Sequence, residues 1–271
     1  MILSSASPLL GPTGPWPLVA AAVVLYLLAA APVPALRRFA VAAFLGAFVL
    51  HALLLLIDIA GLGQPEGGAR LGFGPVLSMA VWLVIAVYTI ESRLLPLPAV
   101  RQWLGLLGAV AVALAAAFTG EAKRAATALA PLHFALGVGS YGLFGAAVLH
   151  GLMLDAAERR LRAGVSGQPE DHKRGMPLLQ LERLTFNFVA AGFAALSATL
   201  LLGLMTAGPW RFEHKTVFAL LAWAVFAALL AGRHWRGWRG RRATRWLYAG
   251  AVLLLLAYAG SRFVLEVLLG R

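Results

Sequence analysis

The stretch LHFALGVGSYGLFGAAVLHGLML, residues 132–154, decides how the chain is read. Its centre, GVGSYG (137–142), fits G-x-G-x-x-G, the glycine pattern of dinucleotide-binding loops. That loop needs a strand before it, a helix after it and an acid about 20 residues on. Here both flanks are uncharged and apolar, and the nearest following acid, Asp155, comes too soon. The whole run is long enough to cross a bilayer as a helix, for which about 20 apolar residues suffice. Ala135, Gly139, Gly142 and Ala146 fall at helical spacing and form a stripe of small residues. Such stripes let membrane helices approach closely. The glycines therefore read as packing surface, not as a phosphate cradle.

Working outward, the same character recurs. Runs at 16–31, 39–59, 73–90, 103–118, 184–207, 216–231 and 246–269 bring the total to eight candidate spans. Breakers separate them, as in APVP (31–34) and GLGQPEGG (61–68). Strands are excluded for runs of this length and polarity, because lipid demands that each segment satisfy its own backbone. Hydrophobic residues make up 61% of the chain and charged ones 13%, and mean hydropathy is +0.83. Soluble domains carry about 25% charged residues. The expected fold is all-α, a polytopic membrane helix bundle of about eight spans forming a single integral membrane domain over residues 1–271.

The net charge of +12 has a topological reading. With both termini outside, the inner loops hold 16 of the 23 Lys and Arg residues. They cluster at Arg159–Arg183, in an inner basic loop spanning 155–183, and at Arg233–Arg245. This is the positive-inside pattern, and it removes the case for nucleic acid as a partner. The N-terminus has no basic n-region, so the first run reads as a retained span and not as a signal peptide. The chain has no cysteine, which excludes disulfides and thiolate ligation.

Ionisable groups inside a span are functional candidates. His51 sits near the centre of the second run, and Asp58 follows seven residues later on the same helical face. A neutral imidazole there either hydrogen-bonds a neighbouring helix or ligates a metal. His133 opens the fifth run and His150 lies near its inner end, about 25 Å away along a helix, so the two cannot share one metal. His214 precedes the seventh run at the outer side and His234 closes it at the inner side. His172 falls in the long inner loop, where solvation is expected. Arg262 and Glu266 are spaced i, i+4 and neutralise each other. Tyr141 reads as core. Two histidines on different helices are the donors that axial ligation of haem iron requires. No H-E-x-x-H, paired-carboxylate or Ser-His-Asp arrangement is present, so no catalytic residue is assigned.

Three segments (132–154, 176–203 and 215–264) together resemble the cytochrome c assembly membrane proteins, the haem-handling CcsA, ResC and CcmC group. The compact eight-span branch named YpjD is the nearest in form. The carriers are Leu132, His133, Ser140, Tyr141 and Phe144, in the pattern LHxxxxxxSYxxF, and the GWRGRRA stretch (237–243). The resemblance implies a bacterial inner-membrane protein that binds or handles haem during cytochrome c maturation. It makes His51 the intramembrane histidine and His133 the outer one, with His214 and His234 as further candidates and haem b as the cofactor. The chain departs from the family in its outer loop. Where the family carries W-G-x-x-W-x-W-D, this chain has GPWRFEHKT (208–216), and AGSRFVLEVLLGR holds no second outer histidine. The alternative is a haem-free regulatory or scaffold subunit of another membrane protein, with a CorB-type magnesium-linked transporter as the partner that the resemblance suggests.

Overall fold

The computed structural model describes residues 15–62, 69–93, 97–120, 122–123, 127–163, 178–206 and 214–260. Among them are eight α-helices: α1 (Trp16–Ala30), α2 (Ala40–Ala60), α3 (Phe73–Glu91), α4 (Pro98–Ala117), α5 (Ala130–Arg162), α6 (Leu178–Thr206), α7 (His214–Arg236) and α8 (Gly240–Leu255). Between the helices, β1 (Ala69–Arg70) pairs antiparallel with β2 (Ala122–Lys123), and a π turn (Leu256–Gly260) continues α8. Helices α2 to α7 are long and apolar enough to cross a membrane, while α1 is apolar and shorter, at 15 residues. The protein is all-α and multi-pass, as its hydropathy predicts. The strand ladder lies in the connections, where the apolar runs give way to polar sequence.

Prolines sit in first turns, at Pro17, Pro75, Pro98 and Pro131. There the missing N–H has no helical partner to lose. Helix ends overrun the apolar runs. α5 continues to Arg162 and α7 to Arg236, with Arg159, Arg160 and Arg162 in one last turn and Arg233 and Arg236 in the other. Cations there meet the negative end of the helix dipole, and their long stems carry the charge toward water. Helices thus enter both ends of the 155–183 segment. His172, the 208–213 part of the GPWRFEHKT segment and the Arg262–Glu266 pair lie outside the described residues.

The chain divides into two compact units. In the first, α1 packs on α2 and α4, and α3 as far as Thr89 joins them. Trp82 of α3 stacks on Phe48 of α2 at 4.9 Å, and its indole N–H donates to the Phe48 carbonyl. The second unit comprises Ile90–Leu97 and the helices α5 to α8, with α5 lying along α6 and α8 against both α5 and α7. Its core is Phe144, Phe186, Val189, Phe226, Leu229 and Leu247. The Phe144 and Phe226 rings stack with centroids 3.7 Å apart. The α7–α8 turn depends on glycine: Gly237 (φ +64°) and Gly240 (φ +54°) are both left-handed. The backbone N–H of Gly237 bonds to the Arg233 carbonyl, the 5→1 bond of an αL closure, and the backbone N–H of Trp238 reaches back to the Gly232 carbonyl.

Large apolar side chains face outward, among them Val49 (63% exposed) and Trp103 (74%). Lipid accepts these, and helix contacts then rest on close packing and not on water exclusion. The small-residue stripe of α5 holds only in part. Gly142 and Ala146 are buried, but Ala135 is exposed and nothing lies within 4 Å of a Cβ built on Gly139. The close approach is made by a large residue entering a small one. Phe144 docks on Gly192 of α6, where an added Cβ would come within 3.1 Å of the ring.

Candidate functional site

Three spans of the first unit each send a polar side chain to one buried point. Tyr26 carries the sole hydroxyl of α1, in WPLVAAAVVLYLLAA. Its Oη lies 3.1 Å from Nδ1 of His51 on α2. Nε2 of His51 lies 2.7 Å from Oγ of Ser78 on α3. Tyr26 is fully buried, and His51 and Ser78 are each 1% exposed. The fourth helix supplies the seat. A Cβ on Gly108 would come within 2.8 Å of the Tyr26 ring and one on Gly105 within 2.9 Å of the Tyr26 carbonyl, so α4 closes on α1 only through glycine. Phe44 and His51 meet the same ring edge-on. The imidazole is thus satisfied at both nitrogens, the first of the two fates open to a lone intramembrane histidine.

Beside this chain lies a cavity of about 260 Å³, lined by His51, Ser78, Asp58, Arg70 and apolar residues including Leu54 and Val112. Asp58 pairs with Arg70 of β1 at 3.7 Å. The two-turn spacing of His51 and Asp58 therefore does bring them to a common space.

In the second unit His133 sits half-buried at the start of α5, its Cε1 atom 3.2 Å from a Cβ built on Gly203 of α6. Its Nδ1 is buried and has no hydrogen-bond partner among the described residues. Ser140 donates to the Gly137 carbonyl at 2.7 Å, and Tyr141 donates to the Leu254 carbonyl at 2.6 Å, where α8 gives way to the π turn. Tyr141 is thus a structural strut. Further along α5, His150 is buried, its Nδ1 2.8 Å from the Ala146 carbonyl and its Nε2 3.0 Å from Oε2 of Glu91. Because a carbonyl only accepts, Nδ1 carries a hydrogen. Nε2 faces the Glu91 carboxylate without meeting it as a linear hydrogen bond. Asp155 then accepts from Thr244 at 3.0 Å and Tyr248 at 2.9 Å. Glu182 meets Arg239 at 3.4 Å and Arg233 at 3.6 Å, and Arg233 covers the Phe186 ring. His214 and His234 stand exposed near opposite ends of α7, about 30 Å apart along the helix, so they do not share an iron.

Residues 18–269 match the family model described as cytochrome C assembly protein. The chain belongs to the cytochrome c assembly protein family. It is 31% identical to the inner membrane protein YpjD of Escherichia coli K12 over 239 residues, covering 86% of this chain and 88% of that one. A 28.8 kDa protein of Azospirillum brasilense is 34% identical over 145 residues, 51% of this chain and 52% of its own. The cytochrome c biogenesis protein CcsA of Prochlorococcus marinus MIT 9303 is 35% identical over 86 residues, 30% of this chain and 27% of that protein. No solved structure matches. This member of the family is a multi-pass protein of the inner membrane, with lipid as its solvent.

Against haem, the group that the resemblance implies, the two histidines answer differently. His51 does not fit. Both ring nitrogens are engaged, and the adjoining cavity of about 260 Å³ falls below the roughly 300–1,000 Å³ of drug-sized pockets. Haem is larger than a drug-sized ligand. His133 fits better, since a buried imidazole nitrogen without a partner is a donor waiting for one. Tyr26, Ser78 and Glu91 escaped the sequence reading. The signal available for the first two was a lone hydroxyl within an apolar run, which in lipid is as notable as a charge.

Proposed function

We propose that this protein handles haem at the outer side of the inner membrane during cytochrome c assembly, with His133 as the ligand it offers. The unpartnered, buried Nδ1 of His133 carries the reading. The family supports it, because the relatives that share part of this sequence are named cytochrome c biogenesis proteins. The outer placement of the α5 start follows from the Lys and Arg bias, with both termini outside. When bound, haem would supply a redox-active iron. The chain's own part is to hold an imidazole at the lip of α5, with Gly203 of α6 allowing the ring to lie close. His214 is a second exposed donor at the start of α7.

A second reading is favoured by the closed state of His51. In it the family architecture is kept without haem, and the protein serves as a subunit of another membrane protein. One experiment separates the two. The protein is purified in mild detergent from cells supplied with haem precursor, and its oxidised and reduced spectra are recorded. A Soret band near one per chain, lost in His133→Ala and kept in His51→Ala, is the expected result. A featureless spectrum that stays featureless on adding haem would sink the haem reading and move the search to a protein partner.

A further inference from the structure

The Tyr26–His51–Ser78 chain contains three hydrogens, one on each side chain, and two hydrogen bonds. One hydroxyl hydrogen is therefore left over, and where it lies fixes the tautomer of His51. Suppose Nδ1–H donates to Tyr26. The Tyr26 O–H then has no acceptor, although the residue is fully buried, boxed by Phe44 and His51 and pressed by Gly108. A buried donor left unsatisfied costs more than a typical hydrogen bond gains. Now suppose Tyr26 donates to Nδ1. Nε2–H then donates to Ser78 Oγ, and the spare hydrogen belongs to Ser78, which lines the cavity. There it can meet water or a ligand. The second arrangement wins.

We infer that His51 rests as the Nε2–H tautomer, with Tyr26 and Ser78 as the positioning residues that hold it there. Tyr26 is absent from the cavity wall, whereas His51 and Ser78 both belong to it, so Nε2 is the nitrogen on the cavity side. That nitrogen is closed twice, by its own hydrogen and by the serine across it. To bind a metal centre it must lose the hydrogen to Nδ1, which requires the Tyr26 hydroxyl to turn from donor to acceptor. It must also part from Ser78. Metal-ligating histidines usually donate their other N–H to a supporting acceptor. Here the supporting residue is present and set to the opposite role. The intramembrane histidine of this protein is thus held in a state closed to ligands, and Ser78 offers the cavity a hydroxyl donor in its place. This inference does not rest on the haem reading of His133, and it can be tested without haem.

The test labels the full-length protein with ring-¹⁵N histidine in detergent micelles and assigns His51 by its loss in His51→Asn. The tautomer is read from the ring nitrogen shifts. Wild type is expected to show a single Nε2–H form. Tyr26→Phe is expected to keep that tautomer, since an Nδ1–H would then face carbon, and to move the Nδ1 shift to that of an unbonded ring nitrogen. Ser78→Thr, which keeps the hydroxyl, is expected to behave as wild type. An Nδ1–H form or an even mixture in the wild type would overturn the inference, whatever the variants do, so a misfolded variant does not blunt the test. A second arm titrates zinc(II), a probe that a cavity of about 260 Å³ admits. In the Tyr26→Phe/Ser78→Ala double variant, His51-dependent affinity is expected to rise roughly tenfold or more, on the loss of hydrogen bonds of ordinary net strength. Zinc bound through His51 as tightly in wild type as in the double variant would also overturn it. A locked ring in a protein that never binds haem would leave this inference standing and sink the haem reading. A freely exchanging ring in a protein that binds haem through His133 would do the reverse.

Discussion

Gly108→Ala tests whether α4 truly aims the Tyr26 hydroxyl. The added Cβ would stand 2.8 Å from Tyr26 Cζ and 2.9 and 3.0 Å from the two flanking ring carbons. To regain the 3.4 Å of ordinary contact, the ring must recede by about 0.6 Å. It has little room to do so, since it is fully buried and meets Phe44 and His51 edge-on. Overpacking of this kind costs about 1–3 kcal/mol. A ring that does shift also strains the 3.1 Å contact to Nδ1, whose loss adds about 0.5–1.5 kcal/mol. The expected destabilisation is therefore about 1.5–4.5 kcal/mol, offset by the roughly 0.5–1 kcal/mol that alanine gains over glycine within a helix. Gly139→Ala is the matched control. It lies in a helix and meets nothing within 4 Å, so only the helical gain applies. Reversible unfolding in mixed micelles, with denaturing detergent as the titrant, compares the two. The His51 ring shift, read in the same samples, reports on the hydroxyl. If Gly108→Ala is as benign as Gly139→Ala, Tyr26 is not held by α4, and the argument for a boxed hydroxyl falls with it.

Two further substitutions test the second unit. Glu91→Leu leaves Nε2 of the buried His150 facing carbon, and should destabilise by about 1–3 kcal/mol; Glu91→Gln, which restores a hydrogen-bonding partner, should recover most of that loss in the same unfolding assay. Tyr141→Phe removes the hydroxyl that donates to the Leu254 carbonyl at 2.6 Å. It should cost about 1 kcal/mol and speed amide exchange in the π turn Leu256–Gly260, while leaving α5 as protected as before. Unchanged exchange there would mean that the turn holds its shape without the strut.

The spans were legible because lipid asks one thing of sequence, an unbroken apolar run, and this chain supplies it repeatedly. Their ends lie beyond what hydropathy alone marks. Hydropathy stops at the first arginine, whereas the helix runs on through Arg162 and Arg236 because the dipole and the snorkelling stems favour it there. The stripe from Ala135 to Ala146 misled for a related reason. Small residues at helical spacing state that close approach is possible, and only the partner decides where it happens. Here the partner brought a glycine, Gly192, to a phenylalanine. Of the candidate site, His51 stood out as a charge-capable group in lipid. Tyr26 and Ser78 are 25 and 27 residues away on other spans. No period or motif ties such positions together, because helix packing alone joins them.

What the resemblance gives the two histidines in common is a place in the family's pattern, and what separates them in the structure is their hydrogen-bond state. His133 has a buried nitrogen with no partner among the described residues, so any ligand it gains is bound without breaking a bond first. His51 has two partners, so any ligand it gains must displace a serine and reverse a tyrosine. At equal intrinsic affinity for iron, the outer histidine therefore fills first, by the free energy of the bonds that the inner one must give up. On the haem reading proposed above, such a protein would take its ligand at His133 while His51 stays closed. Had the hydroxyls been absent, the order would be set by access alone. With them present, hydrogen bonds from α1 and α3 hold both nitrogens of His51, and Gly108 of α4 seats the tyrosine that makes one of them.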